Sequence, residues 1–390
     1  MAKNIIFCAD GTWNNPDDET LTPAERAKSD PPSNVFKIFT HLAGRMVART
    51  KVEDITGQIL EREKRLTDDA GKVVQIAKYI NGVGNGSNKI QDIIGGGFGA
   101  GLIKRIVRGY TFISRNYEAG DRIYIIGFSR GAYTARALAG LIASQGLLAQ
   151  RFERGDEESY KLGAQAWYQY RKAGAEKRNV FASLAEAMSN LPSFITSGRL
   201  KEQDYIRNVP IQTVAVWDTV GSLGIPGFDA RSNTIEDAFR FADEVLSSKV
   251  TQGLHALAID EERVLFTPTF WNKAGNVKQL AFPGAHSDVG GGYKETGLSD
   301  GALLWMIDEL KPMGVLFSDT VSGIKPDPLG PAHKPWLALT TVTGGLGLRK
   351  FRPEHGVVAH ISVALRKAAN AVLHHLGEIA KKYAPSNWPN

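Results

Sequence analysis

The run Asp121-Arg122-Ile123-Tyr124-Ile125-Ile126-Gly127 is apolar without alternation, and it leads into Gly127-Phe128-Ser129-Arg130-Gly131 and then a stretch of small residues, Ala132 to Ala143. A short continuous apolar run fits a strand covered on both faces, as in a parallel sheet. The small-residue stretch predicts a helix, so the G-x-S-x-G pattern falls on a strand-to-helix turn. Such a turn holds its serine in a strained conformation with the hydroxyl exposed, and a Cβ two residues to either side would collide with the turn. As text the pattern is weak, because a plain glycine-rich βα turn reads the same. Its context gives it weight. A helix N-terminus under Ser129 also favours negative charge developing there.

The same kind of run recurs along the chain. Strands are expected at Asn4 to Ala9, Val73 to Ile80, Ile211 to Trp217 and Val277 to Phe282. Ser33 reads as the N-cap of a helix through Val35, Phe36, Ile38, Phe39 and Leu42. Further helices are expected near 99–116, near 248–259 and near 360–383, and two or three amphipathic ones across 151–205. Charge-rich residues 51–70 form an excursion, a hairpin or a loop. This alternation of strand and helix predicts an α/β fold with a mostly parallel sheet flanked by helices and a helical insertion, and the G-x-S-x-G turn makes that fold α/β-hydrolase-like. No linker forces a domain cut. Residues 1–390 are therefore one domain, with 151–205 a cap-like helical insertion and 312–390 a C-terminal extension packing on the core.

Composition removes several classes. One cysteine, Cys8, permits neither an intramolecular disulfide nor a Cys/His zinc framework. The net charge of +6 is spread out. Lys104, Arg105 and Arg108 cluster, but without the interleaved aromatics that stack bases, so they read as a solvated helix face and nucleic acid is not an expected partner. No apolar run approaches the ~20 residues that span a bilayer. The start of the chain lacks the flank and apolar core of a secretory signal, which predicts a soluble protein, cytoplasmic at synthesis.

A serine hydroxyl needs a base and an orienting acid. In α/β-hydrolases these follow in the order Ser, acid, His, just past strand ends. Asp218 follows the strand ending at Trp217, and His286 follows the strand ending at Phe282, so both fall on the sheet edge that carries Ser129. An aspartate after a strand also serves as a plain turn former. His255, in a helical pattern, and His360 are the rival bases, His360 being the stronger. Asp288 is a second candidate acid. Two backbone N–H donors are needed for the oxyanion: Arg130 supplies one, and the Gly11-Thr12 turn after the first strand, at Thr12, the other. A carboxylate beside an oxyanion opposes the chemistry, so Asp10 is expected to point away and pin its own loop.

Other readings are poorer. Gly82-Val83-Gly84-Asn85-Gly86-Ser87 lacks the third glycine and the later acid of a dinucleotide fingerprint, and there is no Walker-type Gly-Lys-Ser/Thr, so no cofactor is expected. A metal-dependent hydrolase built on Asp10, Asp218, His286 and Asp288 rests on one histidine and distant carboxylates. A non-catalytic binding protein on a hydrolase fold remains an alternative.

In order along the chain, these segments resemble one family, the catalytic domain of type VI secretion phospholipase effectors (the Tle group with a GxSxG serine) and their α/β-hydrolase relatives. The resemblance rests on Phe7-Cys8-Ala9-Asp10-Gly11-Thr12-Trp13-Asn14, Tyr79-Ile80-Asn81-Gly82-Val83-Gly84 and Gly127-Phe128-Ser129-Arg130-Gly131-Ala132-Tyr133-Thr134-Ala135-Arg136. It continues in Val216-Trp217-Asp218-Thr219-Val220-Gly221, His255-Ala256-Leu257-Ala258-Ile259-Asp260-Glu261 and Gly284-Ala285-His286-Ser287-Asp288-Val289-Gly290-Gly291. It implies a serine ester hydrolase acting on lipid, with Ser129 as nucleophile and Asp218 and His286 as acid and base. It also implies transient contact with a membrane surface and, for an effector, delivery by type VI secretion and an immunity protein as partner. Trp167, Tyr168 and Tyr170 then line the cap or touch the membrane, or else pack the cap onto the domain.

Overall fold

The structure, a computed structural model, describes residues 2–11, 31–54, 57–82, 97–149, 156–178, 200–221, 244–319, 321–338 and 344–388. The strands are β1 (Asn4–Ala9), β2 (Arg45–Asp54), β3 (Gly57–Thr67), β4 (Val73–Ile80), β5 (Arg122–Phe128), β6 (Leu147–Leu148), β7 (Tyr205–Ile206), β8 (Ile211–Trp217), β9 (Val250–Ala258), β10 (Val277–Phe282) and β11 (Val358–Ala359). The helices are α1 (Asn34–His41), α2 (Gly97–Asn116), α3 (Arg130–Gln145), α4 (Asp156–Arg178), α5 (His286–Gly290), α6 (Gly297–Leu310) and α7 (Ile361–Ala368).

Nine strands form one sheet in the order β11-β10-β9-β8-β5-β1-β4-β3-β2. From β11 to β4 every neighbouring pair is parallel. The fold is therefore α/β with a mostly parallel sheet. The chain leaves β1 towards β4, then returns past β1 to β5 and builds outward to β11. The order thus reverses between β1 and β5, the kind of switch point where open sheets bind ligands at the C-terminal strand ends.

Alternation along β1 separates the two layers of core. Ile5, Phe7 and Ala9 pack under α2 and α3, in a cluster that includes Ile106, Tyr110 and Leu138. Ile6 and Cys8 face α1 and α6, in a cluster that includes Phe39, Met306 and Ile307. Both faces of the sheet are covered, which is why the strand reads as an unbroken apolar run. Cys8 is buried, and that burial, with Asp10 nearby, pushes its thiol well above the ordinary range.

Two local expectations change and a third is narrowed. The segment expected as a helix near 248–259 is β9, a central strand buried from Gly253 to its end. Its Leu and Ala favour a helix intrinsically, but the gap between β8 and β10 can be filled only by a strand, and tertiary context overrides propensity. His255 is thus a strand residue. The terminal helix stops at Ala368, and Val372 then bridges back to Lys381. The excursion at 51–70 is the β2–β3 hairpin, which continues the sheet antiparallel from β4; the charges along β2 suit an edge strand.

The basic cluster on α2 is not a solvated face. Arg105 is buried and donates to the carbonyls of Asn81 and Gly82 after β4, and Arg108 pairs with Glu61. In the 151–205 region, α4 packs on α2 and α3, and β7 pairs with β6. Trp167 is buried in the main core beside Tyr170, so this ring packs the helix onto the domain. Residues 179–199 lie outside the described residues.

Candidate active site

The turn at Ser129 has the geometry its glycines demand. Ser129 has φ +58°, a conformation that costs an L-residue and persists only when its surroundings hold it. They do: Ser129 N–H donates to Trp217 O on β8, and Ser129 O accepts from Tyr133 N–H in the first turn of α3. A Cβ on Gly127 would stand 2.3 Å from Gly131 O, and one on Gly131 would stand 2.1 Å from Ala9 O and 2.5 Å from Asp10 O. Gly131 therefore lets α3 begin against the end of β1. We expect Gly131→Ala to cost about 3 kcal/mol, the upper part of the range for forced overpacking. Urea unfolding measures it, and an unchanged midpoint would refute the close-approach argument.

Asp218, one residue past β8, is fully buried with φ +39°. Its Oδ2 accepts from His286 Nδ1 at 2.5 Å. Its Oδ1 accepts from Ala258 N–H at 3.0 Å. Arg349 closes the other side, donating from Nη1 to Oδ1 at 2.6 Å and from Nη2 to Oδ2 at 2.8 Å. Burial pushes the carboxyl up, but the Arg349 guanidinium and His286 outweigh it and hold Asp218 well below the usual carboxylate range. An ionised carboxylate only accepts, so His286 Nδ1 carries the proton and Nε2 keeps its lone pair.

His286 is the first residue of α5, buried between the Phe128 ring, 4.6 Å away centre to centre, and the edge-on Phe266 ring at 5.0 Å. Its backbone N–H donates to Glu261 Oε2 at 3.2 Å. Burial lowers the pKa of His286, and the neighbouring carboxylates of Asp218 and Glu261 do not fully offset that effect. The imidazole is thus neutral at neutral pH, as a general base must be. Ser129 directly follows β5, and Asp218 directly follows the neighbouring parallel strand β8. Among the described residues no hydrogen bond joins Ser129 to His286, and such contacts often tighten only once substrate is bound.

The other sequence candidates are employed elsewhere. His360 caps α7, its Nδ1 accepting from Ser362 N–H, with its ring stacked on Phe282. Asp288 Oδ1 bonds His333 Nδ1 at 2.6 Å, and its Oδ2 accepts from Ala285 N–H and His333 N–H. Asp10 accepts from Gly11 N–H, Ser33 Oγ and Tyr79 Oη, the last at 2.6 Å. It ties the turn after β1 to α1 and β4. Gly11 N–H is therefore engaged by its neighbour's carboxylate, and Thr12 lies outside the described residues. Arg130 opens α3, so its N–H belongs to the first turn, where helix donors lack intrahelical acceptors. Asp218 and His286 bond each other while Asp10 and Asp288 are held by other partners, and among the described residues no group of three or more such side chains is placed to hold a metal ion.

Two residues shape the site in roles that the sequence did not indicate. His255, fully buried on β9, accepts from Thr219 N–H at 3.1 Å and contacts Gln279 Oε1 at 3.1 Å. Burial, then Arg136, pushes it down to about 3, so it is a neutral strut for the Asp218 turn. Its strand-end motif carried the signal, hidden by the helical reading. Arg349 follows a glycine-rich stretch far from any other motif and offers no sequence signal.

A family profile described as the catalytic domain of Tle1-like type VI secretion phospholipase effectors matches residues 3–309. The chain belongs to this family. The Tle1-like region thus contains every strand of the sheet except β11 and stops short of Arg349. An uncharacterised protein of Saccharomyces cerevisiae, YEL023C, is 28% identical over 287 residues, covering 72% of this chain and 33% of the yeast protein. The chain therefore spans about a third of that relative's length. Two solved structures are similar. One is the Tle1 effector bound to the VgrG spike from the type 6 secretion system, at 19% identity and TM-score 0.37, covering 76% of this chain and 52% of that one. The other is an uncharacterised protein from Pseudomonas aeruginosa, at 17% identity and TM-score 0.39, covering 81% and 46%. Among the described residues no helix is long and apolar enough to cross a membrane.

Proposed function

We propose that the chain is a serine-dependent carboxylic-ester hydrolase, a phospholipase in keeping with its family, that works through an acyl-enzyme. Ser129 Oγ attacks the ester carbonyl while His286 Nε2 takes its proton. The tetrahedral intermediate collapses, the carbon–oxygen bond to the alcohol breaks, and His286 returns the proton to the leaving alkoxide. Water then repeats the sequence on the acyl-enzyme and releases the fatty acid. Asp218 holds the imidazole tautomer throughout. The oxyanion is received by the Arg130 N–H and, in this reading, by the turn at Thr12. The observation that carries the proposal is the 2.5 Å bond from His286 Nδ1 to Asp218 Oδ2, on the sheet edge where Ser129 occupies its left-handed turn.

Lipid is the favoured substrate class because the family is one of phospholipase effectors. Delivery by type VI secretion, contact with that apparatus and an immunity partner follow from the same membership as proposals. The test uses p-nitrophenyl butyrate, phosphatidylglycerol–phosphatidylethanolamine vesicles and a fluorophosphonate probe. We expect ester hydrolysis that survives a chelator, fatty acid release from the vesicles, and a single labelled peptide containing Ser129. No turnover of either substrate together with no labelling would overturn the enzyme reading.

A further inference from the structure

Asp218 has four good acceptor directions, and all four are used. Arg349 takes one on each oxygen, Ala258 N–H takes a second on Oδ1, and His286 takes the second on Oδ2. Two parallel N–H···O bonds from one planar guanidinium fix the plane of the carboxylate. Arg349 is itself anchored: Nη1 also donates to Ala258 O at 2.7 Å and Nη2 to Phe266 O at 2.7 Å. Phe266 is the residue whose ring stands edge-on to His286. One buried side chain thus ties together the acid, the end of β9 and a wall of the imidazole pocket. It enters from the C-terminal part of the chain, outside residues 3–309, which the family profile matches.

We propose that Arg349 is a positioning residue for this site: its two-pronged grip sets the plane of Asp218, leaves one lone pair aimed at His286, and governs how readily the Asp218–His286 dyad takes up a proton. The inference rests on the hydrolase reading above. An unclamped buried aspartate would give its full negative charge to the imidazole and raise its affinity for a proton. With a guanidinium on both oxygens, that charge is shared. The dyad then stays deprotonated to lower pH, and Nε2 stays available as a base. Among the described residues, the other charged groups facing the dyad are Glu261, which accepts from the His286 backbone N–H, and Arg263, which pairs with Glu261 and lies over the Phe266 ring. Asp288, in the same short helix, is held by His333.

The test compares wild type with Arg349→Lys and Arg349→Met on p-nitrophenyl butyrate from pH 5 to 9, with circular dichroism as the check of fold. For Arg349→Met we expect the acid limb of kcat/KM to move up by about one pH unit, the scale set by one nearby charge. kcat should fall about 10–100-fold while KM stays within about threefold, as for an interaction felt mainly in the transition state. Arg349→Lys keeps the charge but not the fork, so its limb should move less while kcat still falls. A folded Arg349→Met variant whose limb has not moved overturns the proposal, since a purely structural role changes stability but not the limb. Should that variant fail to fold, Arg349→Gln, which keeps a donor but no charge, is compared with wild type by NMR titration of the His286 imidazole. A midpoint above that of wild type supports the proposal, and an unchanged one overturns it. A catalytically silent, unlabelled wild type whose His286 midpoint still rises in Arg349→Gln would sink the hydrolase reading and leave the hold of Arg349 on the dyad standing.

Discussion

Ser129→Ala is expected to lower kcat on p-nitrophenyl butyrate by about 10⁴–10⁶-fold and to abolish fluorophosphonate labelling. Members of such a triad act as a unit, and losing the nucleophile costs about as much as losing all of it. What activity remains comes from binding and the oxyanion donors. Stability should stay within ~1 kcal/mol, because alanine fits the volume and the strained backbone is held by Trp217 O and the start of α3. A variant that keeps more than a tenth of the wild-type rate would remove Ser129 from the mechanism. Loss of fold measured by circular dichroism would instead show that the hydroxyl is structural.

Asp218→Asn should affect two quantities at once. An amide at this position cannot enforce the Nδ1–H tautomer, and kcat should drop by about 10⁴-fold. The backbone is not the reason, since asparagine tolerates the φ of +39° at least as well as aspartate. The same change leaves the Arg349 guanidinium buried without its counter-charge, and breaking a buried pair from one side costs about 3–5 kcal/mol. Adding Arg349→Met to Asp218→Asn should recover part of that stability and none of the activity, because an apolar replacement removes the unpaired charge without restoring the acid. Urea midpoints and steady-state rates of the four proteins separate the terms. If Asp218→Asn were as stable as wild type, the buried pair would be contributing nothing.

The residues of the dyad were legible because each follows a strand covered on both faces, and such a strand stands out in the sequence as a short continuous apolar run. Asp218 comes directly after Val214-Ala215-Val216-Trp217, and His286 comes four residues after Gln279-Leu280-Ala281-Phe282. β9 was misread for a physical reason: leucine and alanine serve a buried helix and a doubly covered strand alike, and only the neighbouring strands choose. The helical reading also concealed the role of His255, whose place under the Asp218 turn depends on β9 lying between β8 and β10. His360, the strongest rival base by position, is a helix cap, a role a histidine and a serine two residues on can fill without any catalytic meaning.

The sequence by itself determined the doubly covered parallel strands, the strained serine turn and the placing of Asp218 and His286 just past strands of one sheet edge, because these depend on local apolar runs, on glycines without a Cβ and on chain order. Only the tertiary structure decided what closes the site. Arg349 and Asp218 are far apart in the chain and meet because the extension folds back over the sheet edge, where a buried carboxylate needs a counter-charge. No local pattern encodes that need. It arises when burial strips water from Asp218, and the chain then meets it with whichever cation the fold brings within reach.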